Sequence, residues 1–371
     1  MYPGIFLKRK FTDLPATQRY ISSTSLNKYF LFFVLACVVS AAFSIDSSLS
    51  FKALIKKVLK YIALYFIVIE TTNTKRRFNN IIISLVFIAS LLVVDAMVQY
   101  LRGADFLRGF AKEIEGLRAC FETRNGFGGW LIMAAPIIFG SIITKKDVLF
   151  RKRGAKLYLV ILFVCLTLIL ILTRSRSAWL GFGLAFSFIM VYLVYKMTNK
   201  ARVVNTVVFI CILAVLLVLI PQSVKSRITS ITRIENSNLF RINLWKESLQ
   251  IIEDFPFLGI GINTYAQVGP HYSNGGGGYY PHNSYLQMAA EIGLVGLSAF
   301  FLLIIKVFQL GFTTLQKTND LLLIGILSSI IAFLVQSFFD VNLYALQLAT
   351  LFWFTISLFV SRVNLMTSLK T

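Results

Sequence analysis

Blocks of roughly twenty predominantly apolar residues recur along this 371-residue chain, and they limit its fold more than any other feature. About 20 such residues, rising ~1.5 Å each as a helix, cross ~30 Å of hydrocarbon. The blocks predict ten spans, at 29–45, 53–70, 81–101, 128–144, 157–173, 177–195, 203–221, 284–309, 321–340 and 343–361. The fold class this implies is an all-α polytopic bundle, with residues 1–371 forming one integral membrane domain. Composition agrees: 57% of residues are hydrophobic, mean hydropathy is +0.75 and only 14% are charged, against ~25% in soluble domains.

Charge sets the expected orientation. Lys75, Arg76 and Arg77 follow the second block, and Lys145, Lys146, Arg151, Lys152, Arg153 and Lys156 follow the fourth. Lys196, Lys200 and Arg202 follow the sixth. These alternate loops share a side with the basic N-terminal stretch, which the positive-inside rule makes cytoplasmic. Both termini are then cytoplasmic, and residues 222–283 form one large loop on the opposite face, which would be periplasmic in a bacterial inner membrane. Lys8, Arg9 and Lys10 precede no apolar region at signal-peptide distance, so no cleaved signal is expected. The formal net charge of +21 does not indicate nucleic acid, because a basic nucleic-acid domain lacks this hydrophobicity. Anionic membrane lipids account for the cytoplasmic cations. Cys37, Cys120, Cys165 and Cys211 contain no CxxC pair and read as small core or loop residues.

Two stretches complicate the plain bundle. Lys56, Lys57 and Lys60 fall in the first turns of the second block, where they either snorkel to the interface or include one that faces an internal anion. In the large loop, Asn238 can cap a helix running to about Glu253, with Ile242, Trp245, Leu249 and Ile252 as its apolar stripe. At ~100° per residue, Arg241 lies at the edge of that stripe and is directed toward protein or membrane. Gly275 to Gly278 form a flexible stretch suited to a lid. No repeat relates the two halves, as many transporters would show.

The outward loops are rich in arginine: Arg102, Arg108, Arg118, Arg124, Arg174, Arg176, Arg227, Arg233 and Arg241, against Lys52, Lys112, Lys225 and Lys246. A guanidinium matches phosphate oxygens in pairs, whereas an ammonium is a point charge. The cluster therefore points to a phosphorylated ligand, with passive head-group binding as the alternative. Arg174 and Arg176, pinched between two spans, favour the site. Of the two histidines, His271 lies in the glycine-rich loop, while His282 precedes Asn283 and Ser284 at the start of a span. Gln287 is placed to complete a capping box. The positive end of the macrodipole there favours a neutral imidazole, as a general base requires, and also attracts phosphate. A lone histidine at a helix start is also an ordinary structural feature. No DxD, HExxH, GxSxG or P-loop occurs, and Glu113 with Glu115 is the single ExE, so no metal and no cofactor are expected.

Taken as an ordered set, several segments resemble the O-antigen ligase and polymerase superfamily of bacterial inner-membrane glycosyltransferases. They are Arg241 to Trp245, Pro256-Phe257-Leu258-Gly259-Ile260-Gly261, and His282-Asn283-Ser284-Tyr285-Leu286, then Glu291, Gly293, Gly296 and Leu297. Thr173 to Gly181 resembles the family's arginine turn, and Arg118 to Asn125 its preceding loop. The likeness spans roughly residues 30–360, although twelve spans are commoner in the family than ten. It implies transfer of a glycan from undecaprenyl pyrophosphate to a hydroxyl acceptor, without nucleotide or metal. Arg241 with one of Arg174 and Arg176 would bind the donor pyrophosphate, and His282 would take or orient the acceptor proton. Arg118 and Arg124 are further phosphate candidates, as are Lys56, Lys57 and Lys60 on their own charge. Glu291 and its glycines read as helix packing. The expected acceptor is a lipid A-core sugar, as for a ligase, because one compact histidine-bearing loop dominates the outer face. A polymerase extending a lipid-linked glycan is the alternative. An anionic-lipid transporter or flippase would also use outward arginines but would not need His282.

Overall fold

In lipid, a chain must satisfy its backbone polar groups internally, and helices do so segment by segment. The computed structural model describes residues 24–113, 116–144, 152–196, 236–273 and 280–367, and these are helical apart from turns and two isolated β-bridges. The helices are α1 (Asn27–Ala42), α2 (Ser47–Ala53), a π-helical turn (Leu54–Leu59), α3 (Lys60–Thr71), α4 (Lys75–Arg102), α5 (Arg124–Ile143) and α6 (Arg153–Leu172). They continue as α7 (Arg176–Lys196), α8 (Asn236–Asp254), α9 (Tyr265–Tyr272), α10 (Ser284–Thr318), α11 (Leu321–Gln336) and α12 (Leu346–Thr367).

Six of these, α4, α5, α6, α7, α10 and α12, are long and apolar enough to cross a membrane, while α1 and α11 are shorter apolar helices. The predicted span 53–70 is instead a chain of α2, the π turn and α3. Predicted span 203–221 and Gly275 to Gly278 lie outside the described residues, as do Arg227 and Arg233. Helix starts follow local chemistry: Thr74, Thr123 and Asp320 each accept a backbone N–H three residues on, as N-cap side chains do. Gly103, at φ +85°, ends α4.

The central packing is α11 against α5 and α7 through small residues. A Cβ on Gly325 would stand 2.4 Å from the Pro136 carbonyl oxygen, and one on Gly181 2.7 Å from that of Ala332. Such contacts let helix backbones approach where no water drives association. At the start of α11, Asp320 and Arg362 of α12 form a buried ion pair at 2.7 Å, with side chains 1% and 0% exposed. Arg362 also lies over the Phe78 ring.

The span α10 is broken at Gly293, where φ is +68° and ψ 178°. The Pro256–Gly261 loop fills the break and exchanges hydrogen bonds with both sides. Leu294 N–H donates to Pro256 and Val295 N–H to Phe257, while the N–H groups of Ile260 and Gly261 donate to Ala290 and Glu291 carbonyls. The loop thus satisfies groups that the broken helix exposes. This corrects the packing role expected of Gly293. Its backbone conformation is open essentially to glycine alone, and a Cβ would meet the Phe257 carbonyl oxygen at 2.0 Å. Ser40 of α1 donates to the Glu291 carbonyl, and Ile45 N–H to that of Ile260, so α1 is fastened to the same break.

Candidate functional site

The N-terminus of α10 is the natural starting point, because a helix start gathers free N–H groups. Asn283 caps it, its side-chain oxygen accepting from the N–H groups of Tyr285 and Leu286 at 2.9 and 3.1 Å. The expected capping box does not form: Gln287 donates instead to the Glu291 carboxylate, one turn deeper. Ser284 then fixes the turn between α11 and α12. Its N–H donates to the Ser337 and Asp340 carbonyls, its hydroxyl to that of Asp340, and it accepts from Leu343 N–H.

That fastening brings Asp340 to His282, 3.4 Å from Asp340 Oδ1 to His282 Nδ1. His282 has φ +48°, an unusual conformation for a residue other than glycine, and such strain collects at functional sites. The Asp340 carboxyl is held below the usual carboxylate range. Burial pushes it up, but hydrogen bonds from His282 and Val341 N–H and the charges of His282 and Arg241 outweigh that. Asp340 was missed by sequence reasoning because the apolar block ran to residue 340, whereas α11 ends at Gln336. An acidic residue at the very end of an apolar block was the available signal.

Arg241 reaches this pair from α8. The Trp245 indole N–H donates to the Pro281 carbonyl at 2.8 Å, and its ring packs edge-on against Phe338 at 5.5 Å. One turn before Trp245, the partly buried Arg241 lies close enough for its charge to act on Asp340. The protein-facing side of α8 is Leu244, Ser248 and Ile251, while Ile242 and Leu249 are exposed. This corrects the predicted stripe, though Arg241 still borders the buried face. Ser248 belongs there because its hydroxyl pairs with Tyr265 at 2.7 Å.

The arginine turn meets the same end of the bundle through Asn125. Asn125 accepts the Ser175 hydroxyl at its side-chain oxygen, 2.8 Å, and the Gln336 amide at its carbonyl, 2.9 Å. Arg124, Arg174 and Arg176 are chain neighbours of these joints, and Arg174 has φ +53°. Asn125 lies at the end of the Arg118 to Asn125 segment, and nothing local in the sequence marks it as the joint. Arg118 serves its own loop: it donates to the Ala111 and Glu122 carbonyls, stands 3.4 Å from Glu113 and lies over the Phe110 ring.

The lysines divide. Lys56 and Lys60 are exposed. Lys57, on the π turn, donates to the Asn263 side chain at 2.5 Å and shares a cavity with Glu291 and Tyr344. Glu291, fully buried, accepts from Asn263 N–H at 2.9 Å. The acidic side chain that shares this cavity with Lys57 is thus Glu291. His271 is exposed on α9. Among the described residues no group of three His, Cys, Asp or Glu side chains is placed to hold a metal ion.

Residues 161–301 match the protein-family model described as O-Antigen ligase. The matched segment contains Arg174, Arg176, Arg241, His282 and the break at Gly293, and it ends before Asp340. No curated protein matches the chain.

Proposed function

From a chain that carries an O-antigen ligase superfamily segment at residues 161–301, we propose an enzyme that moves a glycan from undecaprenyl pyrophosphate to a sugar hydroxyl. The observation that carries this reading is Asp340 in contact with His282 and within reach of the Arg241 charge, on a turn joined through Gln336 and Asn125 to the Arg174 turn. Asp340 engages Nδ1 of His282 and leaves Nε2 for the acceptor, the division of labour a general base needs.

In the proposed step the acceptor oxygen attacks the anomeric carbon and its proton passes to Nε2 of His282. The bond from that carbon to the pyrophosphate oxygen breaks, and undecaprenyl pyrophosphate leaves with the electron pair. Attack opposite the leaving group inverts the anomeric centre. The ionised Asp340 stabilises the imidazolium as it forms. Arg241, with Arg174 or Arg176, meets the charge that grows on the leaving pyrophosphate, so it favours the transition state over the ground state. Arg124 is next in rank as a phosphate contact. No metal takes part in the proposed step.

We assign the acceptor as a lipid A-core sugar, with a lipid-linked glycan as the alternative. A deletion strain that loses all O-chain bands from its lipopolysaccharide supports the ligase, whereas retention of a single repeat supports the polymerase. The site is assigned to the periplasmic face on the basic-loop pattern. Labelling from that side should modify Ser273→Cys and spare Asp147→Cys, on a background without native thiols. The test of mechanism is His282→Ala: donor binding should persist while transfer, assayed in excess EDTA, falls by ~10²–10⁴. A transporter would keep its activity in that variant, and full retention would overturn the proposal.

A further inference from the structure

After α4 the chain turns at Gly103 and folds back along the helix it has just left. Asp95, about two turns before the end of α4, is buried and accepts the Phe106 and Leu107 N–H groups at 3.0 and 3.2 Å. Buried Gln99 donates to the Phe110 carbonyl at 3.0 Å, and Lys112 N–H donates to that of Gly103 at 2.7 Å. Within the turn, Asp105 accepts from the N–H groups of Arg108 and Phe110. The backbone of Phe106 and Leu107 is thus bound inward, while their side chains remain 49% and 42% exposed.

The level at which these two side chains stand follows from α4, which is long and apolar enough to cross a membrane. Its apolar run begins at Phe78, after Lys75, Arg76 and Arg77. About 20 residues cross the hydrocarbon, which puts the far boundary near Met97, between Asp95 and Gln99. Phe106 and Leu107, held by Asp95, therefore stand at the edge of the apolar layer, beside a helix whose Met97 and Leu101 are themselves exposed. Arg102, Arg108 and Lys112 are exposed in the same segment. Lys112 lies 4.5 Å from the centre of the Tyr100 ring, and the Arg108 guanidinium 4.3 Å from that of Phe110. Asp105, the one acid of residues 101–112, is buried, and Glu113 beyond it stands 3.4 Å from Arg118. Exposed apolar side chains beside exposed cations, with no exposed acid in the segment, suit the boundary of an anionic bilayer. Two half-exposed side chains offer far less than the ~800 Å² per partner of a stable protein interface.

We propose that the turn after α4 is a docking surface for the anionic phospholipids of the bilayer itself. Phe106 and Leu107 enter the acyl boundary, and Arg102, Arg108 and Lys112 hold head-group phosphates by charge-assisted hydrogen bonds. Asp95 and Gln99 fix the turn at that depth by taking up its backbone groups. The surface shares no residue with the group formed by His282, Asp340 and Arg241, and it does not depend on the transfer reaction.

The test uses the full chain in nanodiscs of phosphatidylcholine with a minor share of phosphatidylglycerol. The photoreactive residue benzoylphenylalanine replaces Phe106 in one sample and, as a lipid-facing control, Leu101 in another; adducts are identified by mass. Position 106 should give lipid adducts as position 101 does. Phosphatidylglycerol should exceed its share of the bilayer among the adducts at 106 by about fivefold, the effect of one cation beside an anionic surface. Combining Arg102→Gln, Arg108→Gln and Lys112→Gln should return phosphatidylglycerol to its bilayer share while lipid adducts persist. With the cations intact, raising NaCl from about 0.1 M to about 1 M should lower the excess in the same direction, which tests the charges even where the triple variant fails to fold. Adducts to protein, or none, at position 106 while position 101 labels lipid would overturn the docking surface, the former in favour of a second copy of this chain. So would a phosphatidylglycerol share equal to that of the bilayer, or an excess that ignores both salt and the three substitutions.

Discussion

Gly293→Ala tests whether the break in α10 holds the site together. The native φ of +68° and ψ of 178° cost a residue with a Cβ about 1–3 kcal/mol. The new methyl would lie 2.0 Å from the Phe257 carbonyl oxygen and 2.3 Å from its carbon, so the Pro256–Gly261 loop must lift away. That strains four hydrogen bonds, from Leu294, Val295, Ile260 and Gly261, each contributing about 0.5–1.5 kcal/mol net. Taking the low end of every contribution, the substitution costs at least about 3 kcal/mol. The loop follows α8, so Arg241 should lose its alignment with Asp340 as well. The matched control is Gly183→Ala on α7, where a Cβ meets nothing within 4 Å; there alanine should be neutral or gain about 0.5–1 kcal/mol. Thermal unfolding in detergent should put Gly293→Ala several degrees below wild type and Gly183→Ala at or above it, with transfer lost only in the former. If both variants melt together with wild type, the loop is not held by the break and the reasoning fails.

Three further outcomes follow from other parts of the molecule. Arg362→Met removes the cation paired with buried Asp320 and should cost about 3–5 kcal/mol in detergent unfolding; adding Asp320→Asn, which keeps an acceptor for Leu323 N–H, should recover most of it. Arg241→Lys keeps the charge but loses the fork, so KM for the donor should rise by the equivalent of roughly 1–3 kcal/mol; an unchanged KM would remove Arg241 from the pyrophosphate. Because the Asp340 carboxyl is held below its ordinary value of 3.8, its stabilisation is present above that value and disappears as pH falls through the lower folded one. The unfolding difference between wild type and Asp340→Asn should therefore persist from pH 7 to pH 5 and shrink only below about pH 4; loss near pH 6 would contradict the pairing.

What the sequence determined by itself was the local part of this protein. Among the described residues the long apolar blocks are helical, because block length and backbone satisfaction are properties of a single segment. The start of α10 was legible for the same reason, since Asn283 caps N–H groups two and three residues on. The arginine content of the loops between apolar blocks and the isolation of His282 before a span named most of the candidate residues. Only the tertiary structure decided which of them meet. Asp340 reaches His282 across 58 positions, and it does so because Ser284 fastens a turn that the hydropathy pattern had absorbed into a span. Asn125 joins Ser175 to Gln336, and Lys57 faces Glu291 because the π turn and the 259–263 loop converge on α10. Gly293, read as packing, is the point where a broken membrane helix takes its hydrogen bonds from a distant loop. These pairings follow from how helix faces pack and where freed backbone groups find partners, and neither is encoded in any one window of the chain.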